Sequence, residues 1–283
     1  MSSLEAILEK CGGVARGAGG RIMPFYCDKR HVMTSDGNLD TTVKQNEPGG
    51  IRVTLKGDAS PLTEADMASH HFLVGALPVV LEGVPVVSEE SYEAGAPSVS
   101  RCWMVDPLDG TKEFVKGTDE FTVNIALIED GRPVLGVVYA PALRLSYYAA
   151  KGCGAWRQRD GEAAVRIGVR RADPEHLTIV ASKDHAGPMV AELLARFKEP
   201  TLRSMGSSLK FCLVAAGEAD VYLRDLPTME WDTAAAQCVV EVAGGSVCTL
   251  DGKPLNYGKP RRRNPAVITV GDSKLDWRAR RNE

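Results

Sequence analysis

The sequence lacks several patterns that identify common classes of protein. Its seven cysteines are scattered and form no C-x-x-C pair, which excludes the usual zinc spacings and a regular disulfide framework. The longest apolar stretch, 72–81, is too short to cross a bilayer, so we expect no membrane insertion. A G-x-S-x-G nucleophile elbow and a Walker A loop are also missing, so neither signature assigns a function.

An excess of charge of one sign is missing too. The chain has 34 Lys and Arg against 37 Asp and Glu, a formal net charge of −3, so we expect no general affinity for nucleic acid. Two short basic runs, 261–263 and 278–281, are interpreted as solvated surface, with phosphate contact as the alternative. The first residues lack the basic start and apolar run of a signal peptide, and the cysteines suit a reducing compartment. We therefore expect a cytoplasmic protein.

The remaining pattern predicts an α/β (α+β) protein that changes character along its length. In the first half, helices are predicted at 2–23 and near 62–81 and a loop or hairpin at 27–55. Short buried strands are predicted at 84–88 and 102–105, and an antiparallel series at 122–128, 134–139 and 145–149. In the second half, strands alternate with helices, which indicates a layered arrangement. The strands are predicted at 177–182, 219–223 and 266–270, and the helices at 188–198, 207–217 and 233–243. We expect two domains, 1–160 and 161–283.

The strongest chemical signal is the segment D-P-L-D-G-T at 106–111. Asp106 and Asp109 follow a buried strand, and Pro107 restricts the backbone between them. Gly110 permits a tight turn and a close ligand, and a helical turn starting there would turn free N–H groups toward a phosphate. Carboxylates without a nearby His or Cys favour Mg²⁺ over zinc. The alternative is an ordinary turn without chemistry.

Three further acids lie at predicted element ends. Glu89 follows a strand, Asp66 is on the first turn of a helix that Thr63 would cap, and Asp232 starts another helix. Each has an ordinary interpretation, as solvated surface for Glu89 and as a capping residue for the two aspartates. These acids form one site only if the fold brings the element ends together.

Several motifs taken together resemble the inositol monophosphatase superfamily. The motifs are S-P-L-T-E-A-D at 60–66, S-E-E at 88–90, D-P-L-D-G-T at 106–111 and W-D-T-A-A at 231–235. The longer runs D-P-L-D-G-T-K-E-F at 106–114, E-F-T-V-N-I-A-L at 120–127 and G-S-S-L-K-F-C at 206–212 resemble the CysQ-type 3'(2'),5'-bisphosphate nucleotidases. This resemblance implies a layered αβαβα sandwich. The chain differs from that family in a longer 27–55 segment and in Asp225-Leu226, where a Phe-Gly pair is common.

The resemblance also implies a site, residue by residue. Two or three Mg²⁺ ions would be bound by Glu89, Asp106, the Leu108 carbonyl, Asp109 and Asp232. Asp66 and Thr111 would orient and deprotonate the attacking water, and the amides of Gly110 and Thr111 would hold the phosphate. Substrate-binding positions are implied at Glu89, Leu108, Asp109, Gly110, Thr111, His185, Ser207, Lys210, Arg224 and Asp232.

The activity implied is hydrolysis of the 3'-phosphate of 3'-phosphoadenosine 5'-phosphate to AMP and phosphate, together with sensitivity to lithium and a role in sulfur metabolism. The 5'-phosphosulfate analogue is a further candidate substrate. Inositol monophosphatase or fructose-1,6-bisphosphatase activity on the same machinery is the alternative. A catalytically inactive nucleotide-binding regulator is the alternative from another class.

Overall fold

The fold contains two large β-sheets, each covered by helices, and one short pair of strands. The computed structural model describes residues 3–27, 53–55, 61–95, 99–181 and 188–278. Most of the segment 27–55, predicted as a loop or hairpin, lies outside these residues. Its last part forms β1 (Val53–Leu55), which pairs antiparallel with β2 (Pro61–Thr63).

The first sheet has seven strands in an order that follows the sequence. Its first pair is parallel and the other five pairs are antiparallel, which confirms the antiparallel series predicted for the first half. The last two strands were not predicted because they are short and carry several polar side chains. In order, the strands are β3 (Val86–Ser88), β4 (Arg101–Asp109), β5 (Thr122–Glu129), β6 (Arg132–Ala140), β7 (Leu145–Ala150), β8 (Gly154–Arg159) and β9 (Val165–Ile167).

The second sheet has five strands and mixed pairing. Its three predicted strands are present, and two edge strands were missed. The sheet order is β11 (Thr201–Ser204), β10 (Thr178–Ala181), β12 (Val221–Arg224), β14 (Val267–Val270) and β13 (Ser246–Thr249). The first sheet therefore ends at Ile167 and the second begins at Thr178. The division into domains 1–160 and 161–283 stays a prediction.

Six α-helices complete the described chain, and the ends of the five that were predicted differ from the predicted ones by up to four residues. They are α1 (Leu4–Cys27), α2 (Glu64–Val80), α3 (Thr111–Lys116), α4 (Pro188–Leu194), α5 (Leu209–Ala215) and α6 (Glu230–Val242). Helix α6 begins three residues earlier than predicted, so Asp232 is its third residue rather than its N-cap. Within the described residues, no helix is long and apolar enough to span a membrane.

Alternating side chains of the first sheet face two different helical layers. Trp103 and Val105 belong to a core shared with α1 and α2, whereas Cys102 and Met104 belong to a core shared with α5 and α6. A third core joins the far face of the second sheet to α4, through Val190 and others. The order of layers is therefore helices, sheet, helices, sheet, helix. This confirms the αβαβα sandwich.

Helix α6 lies unusually close to the first sheet. A Cβ atom added to Gly136 on β6 would meet the main-chain oxygen of Ala235 at 2.2 Å. Residues 234–236 are three buried alanines, so small side chains permit the contact on the helix side as well. This contact fixes the height of α6, and therefore of Asp232 in its first turn, above the sheet that carries Asp106.

One of the arginines predicted to be solvated is buried. Arg262, in the middle of the basic run at 261–263, is only 2 % exposed and is not solvated surface as predicted. An adjacent buried carboxylate, Glu230, accepts a hydrogen bond from Arg262 at 3.2 Å.

The six described cysteines are all free thiols.

Candidate metal centre and active site

Three acids from separate elements converge at one end of the first sheet. Glu89 directly follows β3, Asp106 lies in β4, and Asp232 lies in the first turn of α6. Each offers a carboxylate oxygen, and these oxygens lie within 4.8 Å of one another. The segment 106–109 was predicted to follow a strand, but β4 continues through it. A register shift between Asp106 and Asp109 interrupts the pairing with β5, which leaves room for both acids at the strand end.

Each of the three aspartates in or beside this cluster has one oxygen held by a hydrogen bond. Asp106 Oδ1 accepts from Leu108 N at 3.0 Å, and Asp232 Oδ2 accepts from Met229 N at 2.8 Å. Asp109 Oδ2 accepts from Ser207 Oγ at 2.6 Å and from Ser208 N at 2.7 Å. These bonds fix each carboxylate and leave its other oxygen to a ligand from outside the chain.

The electrostatics of the cluster favour a bound cation. Burial raises the pKa of Asp106 well above its ordinary value, and the charges of Glu89, Asp109 and Asp232 raise it further. Burial also raises the pKa of Asp232, with Asp109 and Glu89 as the next causes. Several carboxylates in one buried place cannot all be ionised cheaply without a compensating positive charge.

Asp66 and Thr111 meet at the edge of this cluster. Thr111 Oγ1 lies 3.3 Å from Asp66 Oδ1 and 3.3 Å from the Leu108 carbonyl. The other oxygen of Asp66 accepts hydrogen bonds from Thr63 N at 2.8 Å and from Thr63 Oγ1 at 2.5 Å. The predicted capping box of α2 is therefore present. Asp66 caps its helix and also faces Thr111.

Two residues of α2 that the sequence analysis did not single out tie this helix to the acids. Ser69 Oγ donates to the carbonyl of Pro107, between the two aspartates of β4, at 2.7 Å. His70 Nδ1 lies 2.8 Å from the hydroxyl of Ser88, the residue before Glu89. Both follow Asp66 at helical spacing, three and four residues on, and that spacing is the signal that could have identified them.

A polar network that was also missed supports Asp109. Asn124 Nδ2 lies 3.3 Å from Asp109 Oδ2, and Asn124 Oδ1 accepts from Ser208 Oγ at 2.8 Å. Thr122 Oγ1 contacts the hydroxyls of Ser207 and Ser208 at 2.6 and 2.8 Å. The signal was Asn124 itself, a polar residue between the apolar residues Val123 and Ile125 of a buried strand.

The backbone at Gly110, between Asp109 and the start of α3, is tightly packed. Gly110 has a φ of 90°, and a Cβ there would lie 3.3 Å from both the Glu120 carbonyl and the Ser207 side chain. Glycine is therefore needed for its conformation and for its small size. Ser207 itself has a φ of 51°, in the left-handed region.

Two cations interact electrostatically with the acids, Lys210 of α5 with Asp109 and Arg224 of β12 with Asp232. Lys210 is 7 % exposed, and its Nζ lies 5.7 Å from the centre of the Tyr222 ring. Burial lowers the pKa of Lys210 to about 8, although the charge of Asp109 acts in the opposite direction. Arg224, which ends β12, has a buried Nε without a hydrogen-bond partner among the described residues. His185, the remaining predicted contact, lies outside the described residues.

The donor set fits Mg²⁺. The groups that converge are three carboxylates, and hard oxygen donors of this kind suit Mg²⁺ better than zinc or copper. Glu89, Asp106 and Asp232 could hold an ion between them. Asp109 lies outside this group of three, although its charge raises the pKa of both Asp106 and Asp232.

Comparisons with known proteins agree with this geometry. Residues 38–274 match the family model described as the inositol monophosphatase family. The 3'(2'),5'-bisphosphate nucleotidase CysQ of Salmonella typhimurium is 43 % identical over 253 residues, which cover 89 % of this chain and 94 % of that protein. CysQ of Buchnera aphidicola is 38 % identical over 90 % of this chain and 89 % of that protein.

Solved structures lead to the same family. A crystal structure of CysQ from Bacteroides thetaiotaomicron, a bacterial member of the inositol monophosphatase family, superimposes with a TM-score of 0.73 at 36 % identity. It covers 91 % of this chain and 94 % of that one. An inositol monophosphatase from Thermotoga maritima superimposes with a TM-score of 0.68 at 27 % identity, covering 92 % and 89 % of the two chains. The chain belongs to the inositol monophosphatase family.

Proposed function

We propose that this protein is a Mg²⁺-dependent 3'(2'),5'-bisphosphate nucleotidase that hydrolyses the 3'-phosphate of 3'-phosphoadenosine 5'-phosphate to AMP and phosphate. The observation that carries the proposal is the placement of two cations, Lys210 and Arg224, beside the converging acids. A monophosphate is neutralised at the acids by metal alone. A substrate with two phosphates needs a second positive region, and the two cations supply one.

We assign Glu89, Asp106, Asp109, Asp232 and the Leu108 carbonyl as the groups that hold two or three Mg²⁺ ions. When bound, Mg²⁺ neutralises charge on the phosphate and promotes the ionisation of water. The chain positions its own groups for that chemistry. Hydrogen bonds fix one oxygen of each aspartate, so the donor set is arranged before any ion or substrate arrives.

Thr111 orients the attacking water, and Asp66 is the final acceptor of its proton. The Thr111 hydroxyl donates toward Asp66 Oδ1, so its own oxygen is oriented to accept a hydrogen bond from water. Asp66 can then take the proton that Thr111 passes on. The amides of Gly110 and Thr111 bind the phosphate oxygens, and the left-handed backbone of Gly110 sets their direction.

Lys210 and Arg224 contact the 5'-phosphate, which stays on the product. An anion at this place would give the buried Nε of Arg224 the acceptor that it lacks among the described residues. Ser207 lies against Gly110 and just before α5, and we retain it as a substrate contact because of this position. His185 is retained as a nucleotide contact from the resemblance alone.

Two other activities remain as alternatives on the same machinery. Inositol monophosphatase activity would use the same acids but would not need Lys210 and Arg224. Fructose-1,6-bisphosphatase activity would use the two cations for the second phosphate of a sugar. An inactive nucleotide-binding regulator would bind the bisphosphate without releasing phosphate. A cytoplasmic location and use of the 5'-phosphosulfate analogue as a second substrate complete the proposal.

The test is phosphate release from a panel of four compounds: 3'-phosphoadenosine 5'-phosphate, its 5'-phosphosulfate analogue, inositol 1-phosphate and fructose 1,6-bisphosphate. We expect kcat/KM for the first to exceed that for inositol 1-phosphate, which has no second phosphate, by about 100-fold, the size of effect that two charge-assisted contacts produce. It should also exceed kcat/KM for fructose 1,6-bisphosphate, which has a second phosphate but no nucleoside. Equal rates on all four would favour a general phosphatase. Binding of the nucleotide without phosphate release would favour the regulator.

A further inference from the structure

A buried ion cluster lies beside the first turn of α6. Glu230, the first residue of the helix, is 0 % exposed, and Arg262 is 2 % exposed. Lys259 completes the cluster, with its Nζ 2.8 Å from Glu230 Oε1. Arg261 and Arg263 on either side of Arg262 are exposed, so the run of three arginines places one guanidinium inside and two outside.

The Glu230 carboxylate is fully occupied by groups of this chain. Its Oε1 accepts from Lys259 N at 2.9 Å as well as from Lys259 Nζ, and its Oε2 accepts from Gly258 N at 3.0 Å and Arg262 Nη1 at 3.2 Å. Four donors saturate two carboxylate oxygens. Glu230 is therefore not a metal ligand, although it lies two residues from Asp232.

The same loop, 258–264, also holds the backbone of Glu230 and of the two residues before it. Glu230 N donates to the Arg262 carbonyl at 2.7 Å. Asn264 N donates to the Thr228 carbonyl at 2.7 Å, and Asn264 Nδ2 donates to the Met229 carbonyl at 2.8 Å. Met229 N is the group that holds Asp232 Oδ2. Arg262 is therefore bonded to Glu230, and the adjacent residue Met229 is bonded to the candidate metal ligand Asp232.

The buried ion cluster contributes little net stability to the fold. Arg262 has a buried Nε without a partner among the described residues, and a buried ion pair often contributes no more stability than apolar side chains of similar volume. An ion pair with fixed geometry does, however, set the position of the backbone that carries it. The cluster is better explained by positioning than by stability.

We propose that Glu230 and Arg262 are positioning residues for the metal site, which hold the 228–230 turn so that the Asp232 carboxylate meets Glu89 and Asp106. This inference rests on the assignment of these acids to Mg²⁺ in the proposed function. It concerns the affinity for the ion and is independent of which phosphate ester the protein hydrolyses.

Titration calorimetry with Mg²⁺ alone, without substrate, tests the proposal on the full chain. Glu230→Gln and Arg262→Met each remove charge from the cluster and leave every candidate ligand in place. We expect each to raise the Kd for Mg²⁺ about tenfold, since loss of a group that orients a metal ligand typically costs 10- to 100-fold in affinity. Two variants are used so that the test remains if one of them does not fold.

The matched control is Asp220→Asn, which weakens another buried acid that binds an arginine. Asp220 is 2 % exposed and accepts from Arg170 Nε at 2.8 Å, at the opposite end of β12 from Arg224. This variant should lower the unfolding temperature but leave the Kd for Mg²⁺ within about twofold, because the side-chain partners of Asp220 among the described residues, Arg170 and Thr178, are neither candidate ligands nor groups that hold them. The proposal is overturned if both cluster variants bind Mg²⁺ as the starting protein does, or if Asp220→Asn weakens binding equally. Mg²⁺ binding that behaves as expected in a protein inactive on the bisphosphate would overturn the proposed function alone.

Discussion

Ser207 Oγ donates a 2.6 Å hydrogen bond to Asp109 Oδ2 across 98 residues of sequence. The bond joins the end of β4, where the acids converge, to the segment before α5, which leads to Lys210. The part of the site that would bind the ions and the part that would read the rest of the substrate therefore share one carboxylate. A change in either part is expected to affect the other.

The first prediction concerns Asp109→Asn. The side-chain oxygen of Asn can still accept from Ser207 and Ser208, so we expect a folded protein. Loss of the negative charge should lower kcat by at least about 10³-fold at saturating Mg²⁺, because the oxygen that faces the metal site becomes neutral or is replaced by an N–H donor. Steady-state phosphate release measures this. Asp130→Asn, in the exposed β5–β6 turn, is the control and should keep full activity. Near-normal turnover of Asp109→Asn would show that the metal assignment is wrong.

The second prediction concerns Arg224→Ala. If Arg224 binds the 5'-phosphate, its loss should raise KM for the bisphosphate about ten- to a hundredfold, since a charge-assisted contact is worth about 1.5–3 kcal/mol. Hydrolysis of inositol 1-phosphate, which has no second phosphate, should barely change. The measurement is the ratio of kcat/KM between variant and starting protein on the two substrates. Equal losses on both would mean that Arg224 supports the structure.

The third prediction concerns Gly136→Ala. The added methyl group would overlap the Ala235 carbonyl, so α6 must move away from the sheet. We expect a loss of about 1–3 kcal/mol in the free energy of unfolding, measured in urea, together with weaker Mg²⁺ binding as Asp232 shifts. Gly75→Ala on α2 is the control, because a Cβ there meets nothing within 4 Å. It should be neutral or stabilising by up to about 1 kcal/mol. Similar results for the two variants would contradict the packing argument.

The fourth prediction concerns pH and stability in the absence of metal. The pKa values of Asp106 and Asp232 are raised by burial and by neighbouring acids, so the folded state binds more protons than the unfolded state. Their contribution to stability is therefore present below the ordinary aspartate pKa of 3.8 and is lost as the pH rises through the raised values. Bound Mg²⁺ should reverse this loss.

Differential scanning calorimetry measures the effect. The rise in unfolding temperature on adding Mg²⁺ should be larger at about pH 8 than at about pH 5, where more of the cluster is protonated. Asp232→Asn removes one of the two raised groups and should reduce the pH dependence of the metal-free protein. An equal Mg²⁺ effect at both pH values would show that the raised pKa values do not govern metal binding.

The acids of the site could be predicted from the sequence more accurately than the residues around them. Asp66 with its capping box could be predicted because Thr63 and Asp66 interact within one helical turn, and such local patterns are visible in sequence. Asp232 was assigned to the wrong position of its helix because Glu230 and Trp231 extend α6 by tertiary burial, with 0 % and 4 % exposure. Local signals do not report burial by distant elements.

The partners of the supporting residues could not be predicted from local patterns. Arg262 was expected in solvent because charge runs usually are, yet Glu230, which binds it, lies 32 residues earlier in the chain. Asn124 supports Asp109 from the neighbouring strand, through a contact that depends on the β4–β5 register. The layered fold was predictable from element order, whereas these pairings depend on how the elements meet.

Identification of the product from 3'-phosphoadenosine 5'-phosphate tests the central claim most directly. The protein is incubated with the nucleotide and Mg²⁺, and the products are separated by ion-exchange chromatography against standards of adenosine 5'-phosphate and adenosine 3'-phosphate. We predict adenosine 5'-phosphate and one equivalent of phosphate, with no product in excess EDTA and slower release at high lithium. Adenosine 3'-phosphate as the product, or undiminished turnover in excess EDTA, would contradict the account.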